Sequence, residues 1–159
     1  EAGGMTVVET KFDGEKAMVS QMGQKQTIDD EASLGQMEMQ AKMFPEANWD
    51  DLGYTAELKG VEKVDGQDAY KLMVSTPSGS TYTEFFNTET FLKLRTVTTQ
   101  EAQGQTITVT NDYADYKEVD GIMVPYSITT SGAMPFPLKM EVSEVVFNPQ
   151  VEESVFAVE

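Results

Sequence analysis

The stretch from Gln105 to Thr130, QTITVTNDYADYKEVDGIMVPYSITT, constrains the fold more than any other part of the chain. Ile107, Val109 and Tyr113 alternate with Thr106, Thr108 and Thr110, and beyond Asp120-Gly121 the residues Ile122, Val124, Tyr126 and Ile128 alternate again. Successive side chains of a strand point to opposite faces, so this spacing predicts a hairpin with one apolar face. Asp-Gly supplies the positive φ angles that a tight connection needs. Asp13-Gly14 and Asp65-Gly66 repeat the turn signal. Strands are expected at Met5 to Phe12, Lys16 to Met22, a short run ending near Ile28, Tyr54 to Val64, Gln67 to Thr76, Thr81 to Asn87, Phe91 to Thr99, the two arms of the hairpin, and Leu138 to Phe147. That is about ten strands with no helix between successive ones, so antiparallel meander connections are predicted rather than parallel crossovers.

One segment changes period. Asp29 or Asp30 suits an N-cap, Glu31 places negative charge in the first turn, and EASLGQMEMQAKMF continues as a helix until Pro45. Leu34, Met37, Ala41 and Phe44 form one apolar stripe; Ala32, Met39 and Met43 form another on nearly the opposite side. Two stripes fit a helix lying across a sheet with something above it, and methionine suits either adaptable packing or a ligand lining. The fold class expected is mainly β (α+β): a strongly curved antiparallel sheet forming an incomplete half-barrel, covered by this one main helix. Ile107, Val109, Ile122, Val124, Leu138, Met140 and Val142 are expected to face inward, with Thr106, Thr108, Thr110, Lys139, Glu141 and Ser143 toward solvent. A single helix fills such a half-barrel incompletely, which predicts an apolar cleft lined by Leu34, Met37, Phe44, Leu72, Val109, Val124 and Met140.

The length of 159 residues, 40% of them hydrophobic, is that of a single domain with a real core. A formal charge of -16, from 27 acidic and 11 basic residues, argues against nucleic acid and against anionic membrane surfaces as partners. It reads as a solvated acidic surface or as adaptation to a salty medium. No apolar run reaches the roughly 20 residues of a membrane span. EAGGMTVVETKF already reads as β-structure without a starting methionine, which points to a trimmed segment of a longer chain.

Cysteine and histidine are both absent. This removes thiol nucleophiles, thiolate metal sites, imidazole bases and every histidine-containing triad. Asp29-Asp30 and Asp50-Asp51 read as caps before catalytic carboxylates. NDYADYKEVDG lacks calcium-loop spacing, and Ser78-Gly79-Ser80 lacks a nucleophile-elbow context. Arg95, the sole arginine, suits a structural ion pair, and Trp49, the sole tryptophan, either pins a loop to the core or binds. No catalytic residue, metal site or cofactor is therefore expected, with a hydrolase built on carboxylates gathered by folding as the weakest option.

YADYKEVDGIMVPYSI, followed by KMEVSEVVFNPQVEESVF, resembles the C-terminal half of proteins of the LolA/LolB-like superfamily of bacterial lipoprotein carriers and outer-membrane lipoprotein-sorting proteins. Val64-Asp65-Gly66, Ala69-Tyr70-Lys71-Leu72, Tyr82, Phe85, Leu92 and Lys93 are similar to the middle of such chains. The resemblance implies a bent, incomplete antiparallel barrel whose apolar concave face takes acyl chains. It also implies a periplasmic or outer-membrane-associated location, with a lipid or lipoprotein acyl chain as partner. Residues 1–159 would form one such domain. Similar domains are also appended to insulinase-type zinc peptidases, so an envelope-protein partner, served by an accessory interaction domain, is the alternative expectation. No functional residue is carried over from the family.

Overall fold

A computed structural model describes residues 8–21, 23–30, 33–35, 37–38, 42, 44–102, 105–152 and 155–158. The chain divides into two compact units, Glu1–Asn48 with Pro149–Glu159, and Trp49–Asn148.

In the first unit, β1 (Val8–Phe12), β2 (Ala17–Gln21) and β3 (Gln24–Ile28) form an antiparallel sheet in that order. Asp13 turns the first hairpin by accepting the backbone N–H groups of Glu15 and Lys16 on its Oδ1, at 2.9 and 2.7 Å. Those bonds hold its carboxyl below the usual carboxylate range. Ala17 and Met18, adjacent on the central strand and so on opposite faces, are both buried.

Asp30 is the helix cap: its Oδ1 accepts the Ser33 N–H at 2.9 Å and its carbonyl accepts the Leu34 N–H at 3.0 Å. The expected helix up to Pro45 is shorter than its apolar stripes suggest. Residues 33–35 and 37–38 are helical, whereas Lys42 and Phe44 are not, and a 3-10 turn follows at Pro45–Asn48. Gly35 weakens the segment, and a proline clashes with a helical residue before it, which takes Phe44 out. The main helix covering a half-barrel is thus replaced by a short helix and a 3-10 turn. Ala32, Met39, Ala41 and Met43, most of the proposed double stripe, lie outside the described residues.

The second unit holds β4 (Thr55–Val64), β5 (Gln67–Ser75), β6 (Thr81–Asn87), β7 (Lys93–Ala102), β8 (Gln105–Val119), β9 (Ile122–Ser131) and β10 (Leu138–Glu141). Every pairing is antiparallel and every neighbour is consecutive, with β4 and β10 as the open edges. Among the described residues the strands therefore make two sheets, of three and seven strands, where one continuous curved sheet was expected, and the larger one does not close.

Asp65-Gly66 and Asp120-Gly121 have φ of 48° and 84°, and 49° and 82°. Two consecutive positive angles match the right-handed twist of the flanking strands. Two register shifts interrupt the ladders, at Lys59 on β4 between Leu58 and Gly60, and at Leu94 on β7 opposite Phe85 and Phe86. Each adds a residue on one strand and sharpens the local twist. β10 ends at Glu141, short of the expected Phe147. Val142 still donates its N–H to the Tyr126 carbonyl at 2.9 Å, one position past the end of the strand.

Candidate functional site

Cross-strand partners share a face, so the registers assign one side of the large sheet residue by residue. The row Leu58, Leu72, Glu84, Thr96, Asn111, Thr130 and Leu138 runs across it from edge to edge. Beside it lie Ala56, Val74, Tyr82, Thr98 and Val109, and on the other side Val61, Tyr70 and Phe86, then Tyr113, Ile128 and Met140. Ile107, Val109, Ile122, Val124, Leu138 and Met140 share this face, as the alternation predicts. They are not uniformly buried: Val124 is 8% exposed, whereas Leu138 and Met140, on an edge strand with a neighbour on one side only, are 52% and 53% exposed. The buried cluster of Val64, Ala69 and Phe85, with Leu94 and Val97 packed on it, belongs to the strands β4 to β7. By register Val64, Ala69, Phe85 and Val97 stand on the opposite face, so neither face is purely polar there.

On the first face, Trp49, Leu58, Tyr70, Leu72, Phe86 and Phe91 line an open apolar groove of about 340 Å³. The Tyr70 and Phe91 rings stack with centroids 6.2 Å apart and planes within 10°. Phe91, at φ 58°, closes the turn between β6 and β7; its N–H reaches the Asn87 carbonyl at 3.0 Å, while Asn87 Oδ1 accepts the N–H groups of Glu89 and Thr90 at 2.9 Å each. Trp49 is held by the Tyr54 N–H on its carbonyl at 2.8 Å. Its buried indole N–H lies toward Tyr82 without closing a hydrogen bond of ordinary geometry.

The same face carries a polar seam that alternation alone does not reveal. Glu84, 3% exposed, faces Leu72 across the β5–β6 ladder and pairs with Lys93 Nζ at 2.8 Å. The Lys93 ammonium stands 5.7 Å from the ring centres of both Phe86 and Tyr113, an arrangement in which the ring quadrupoles stabilise the cation. Thr96 donates to the Tyr113 hydroxyl at 3.4 Å, Thr130 donates to Asn111 Oδ1 at 2.7 Å, and the Tyr116 hydroxyl donates to the Lys93 carbonyl at 2.7 Å. Burial pushes the Glu84 carboxyl up and the Lys93 ammonium down. Burial first, and then the Glu84 charge, raises the Tyr82 phenol well above its usual range. A carboxylate inside an apolar strand pattern reads simply as an interruption; only the pairing partner, nine residues on, shows that it is neutralised.

Of the residues expected to line a cleft, Leu72 lies in the groove. Val109, Val124 and Met140 are on the same sheet face, on β8, β9 and β10. Leu34, Met37 and Phe44 belong to the other unit; the first two are half-buried and Phe44 is exposed. Arg95 pairs with Asp112, its cross-strand partner, and with Asp65 at 3.3 Å, the structural role expected for it. Among the described residues no group of acidic side chains is arranged to hold a metal ion, and no helix is long and apolar enough to cross a membrane.

No protein-family model matches the sequence, and no curated protein matches it. Solved structures do. A LolA superfamily protein from Nitrosomonas europaea superposes with a TM-score of 0.58 at 15% identity, covering 91% of this chain and 67% of the other. An outer membrane lipoprotein-sorting protein domain from Vibrio parahaemolyticus gives 0.59 at 16% identity, covering 89% and 63%. A DUF1329 family protein from Desulfovibrio piger gives 0.50 at 20% identity, covering 74% and 52%. The chain thus spans about two thirds or less of the length of these neighbours. At such identities the likeness is one of fold, and the fold is LolA-like.

Proposed function

We propose that this chain is a non-catalytic module of the bacterial periplasm or outer membrane that binds a lipid or lipoprotein through an acyl group. The observation carrying this reading is the groove of Trp49, Leu58, Tyr70, Leu72, Phe86 and Phe91 on one face of an open sheet. Its size is in the range of small-molecule sites, roughly 300–1,000 Å³, and its lining offers burial to methylene groups at about 0.8 kcal/mol each. The LolA-like fold, shared with a protein described as an outer membrane lipoprotein-sorting domain, supports the same reading. Val109, Val124 and Met140 would extend the lining along the sheet.

Trp49, the sole tryptophan, lines the groove and so reports on its occupancy. In a titration of alkyl esters of increasing length, Trp49 emission is expected to shift, with affinity rising about fourfold per methylene. Leu72→Asp, at a half-buried position in the groove, is expected to abolish the shift while the far-ultraviolet circular dichroism is retained. Affinity independent of chain length, or full binding by Leu72→Asp, would sink the reading. A second reading, an interaction domain accessory to a larger envelope protein such as an insulinase-type zinc peptidase, draws on the exposed run Met134, Phe136, Leu138 and Met140 at the β10 edge.

A further inference from the structure

Resting on the acyl-binding reading, we propose that the bound amphiphile carries an uncharged hydrogen-bond donor at its head, an amide N–H or a hydroxyl, and that Glu84 Oε2 accepts it. Three observations converge on that head group. Glu84 faces Leu72, a residue of the groove, across the β5–β6 register, so the two stand on the same face of the sheet. Oε1 is taken by Lys93 at 2.8 Å, while Oε2 is buried with no hydrogen-bond donor within reach. Phe86 belongs to both places, lining the groove and standing 5.7 Å from the Lys93 ammonium, so one side chain separates an alkyl tail from the ion pair.

A buried acceptor left unmatched is costly, and a guest that completes it gains the difference. Because Oε2 is closed off from solvent, the donor has to arrive attached to something apolar enough to enter through the groove. The charge balance then selects the head. An anionic head meets the Glu84 carboxylate and a net charge of -16; a cationic head meets the Lys93 ammonium already paired there. A neutral donor meets neither penalty. The same chemistry comes from a free lipid with an amide or hydroxyl head and from an acyl chain joined through an amide to a polypeptide.

The test compares probes that share one dodecyl chain: the primary amide, the methyl ester, the carboxylate and an N-dodecanoyl peptide, each followed through Trp49 emission. The amide is expected to bind about tenfold more tightly than the ester, which only accepts hydrogen bonds, and the carboxylate more weakly than the ester. In Glu84→Leu combined with Lys93→Met, which removes both charges of the pair together, the amide-to-ester ratio is expected to fall to about one with ester affinity little changed. Tight binding of the N-acyl peptide would identify an attached chain as the source. Binding of the free amide alone would identify a free lipid. Equal affinity for amide and ester, or a ratio that survives in the double variant, overturns the head-group proposal and leaves the acyl reading standing. If neither ester nor amide binds, both fall.

Discussion

Gly132 follows β9 with φ at 89°, and a Cβ placed there would drive into the Thr108 carbonyl oxygen. Neither a side-chain rotation nor a small shift relieves a clash with backbone. Gly132→Ala is therefore expected to destabilise the fold by about 2 kcal/mol or more, read as a lower urea midpoint at unchanged slope. Glu84 is set by two opposing causes: burial pushes its carboxyl up, while the Lys93 ammonium 2.8 Å away favours the charged form.

Among the elements, legibility in the sequence follows how local the cause is. The hairpins at Asp65-Gly66 and Asp120-Gly121 were legible because the positive φ angles are a property of the dipeptide itself. The facing of Ile107, Val109, Val124 and Met140 was legible because a period of two is fixed by the pleat. β10 ends at Glu141, and the alternation of Leu138 to Phe147 gives no warning of it. The groove was legible only at Leu72. Tyr70, Phe86 and Phe91 join it through the β5–β6 register and the Asn87 turn, both pairings of distant residues. Apolar spacing also overstated the helix, since Gly35 and the residue before Pro45 weaken it whatever its stripes promise.

At the scale of the whole molecule, 27 acidic against 11 basic residues repel one another in the folded chain. Most ion pairs, such as Lys63–Asp68 and Lys139–Glu141, are exposed and contribute little. Screening is therefore expected to stabilise: raising sodium chloride to about 0.5 M should raise the thermal midpoint by roughly 2–4 °C, the shift that about 1 kcal/mol produces in a chain of this size. A midpoint that falls on adding salt would mean that the ion pairs outweigh the repulsion.

The extra residue on β4, where the register steps from Leu58 to Gly60, reaches past its own hairpin. β4 is ten residues long and leaves one side of its backbone unpaired, the kind of border on which identical molecules stack into fibres. With Lys59 out of step and Glu57, Glu62 and Lys63 along the same strand, an incoming strand finds neither a continuous run of partners nor an uncharged surface. The open border of the sheet is thereby kept from polymerising with itself.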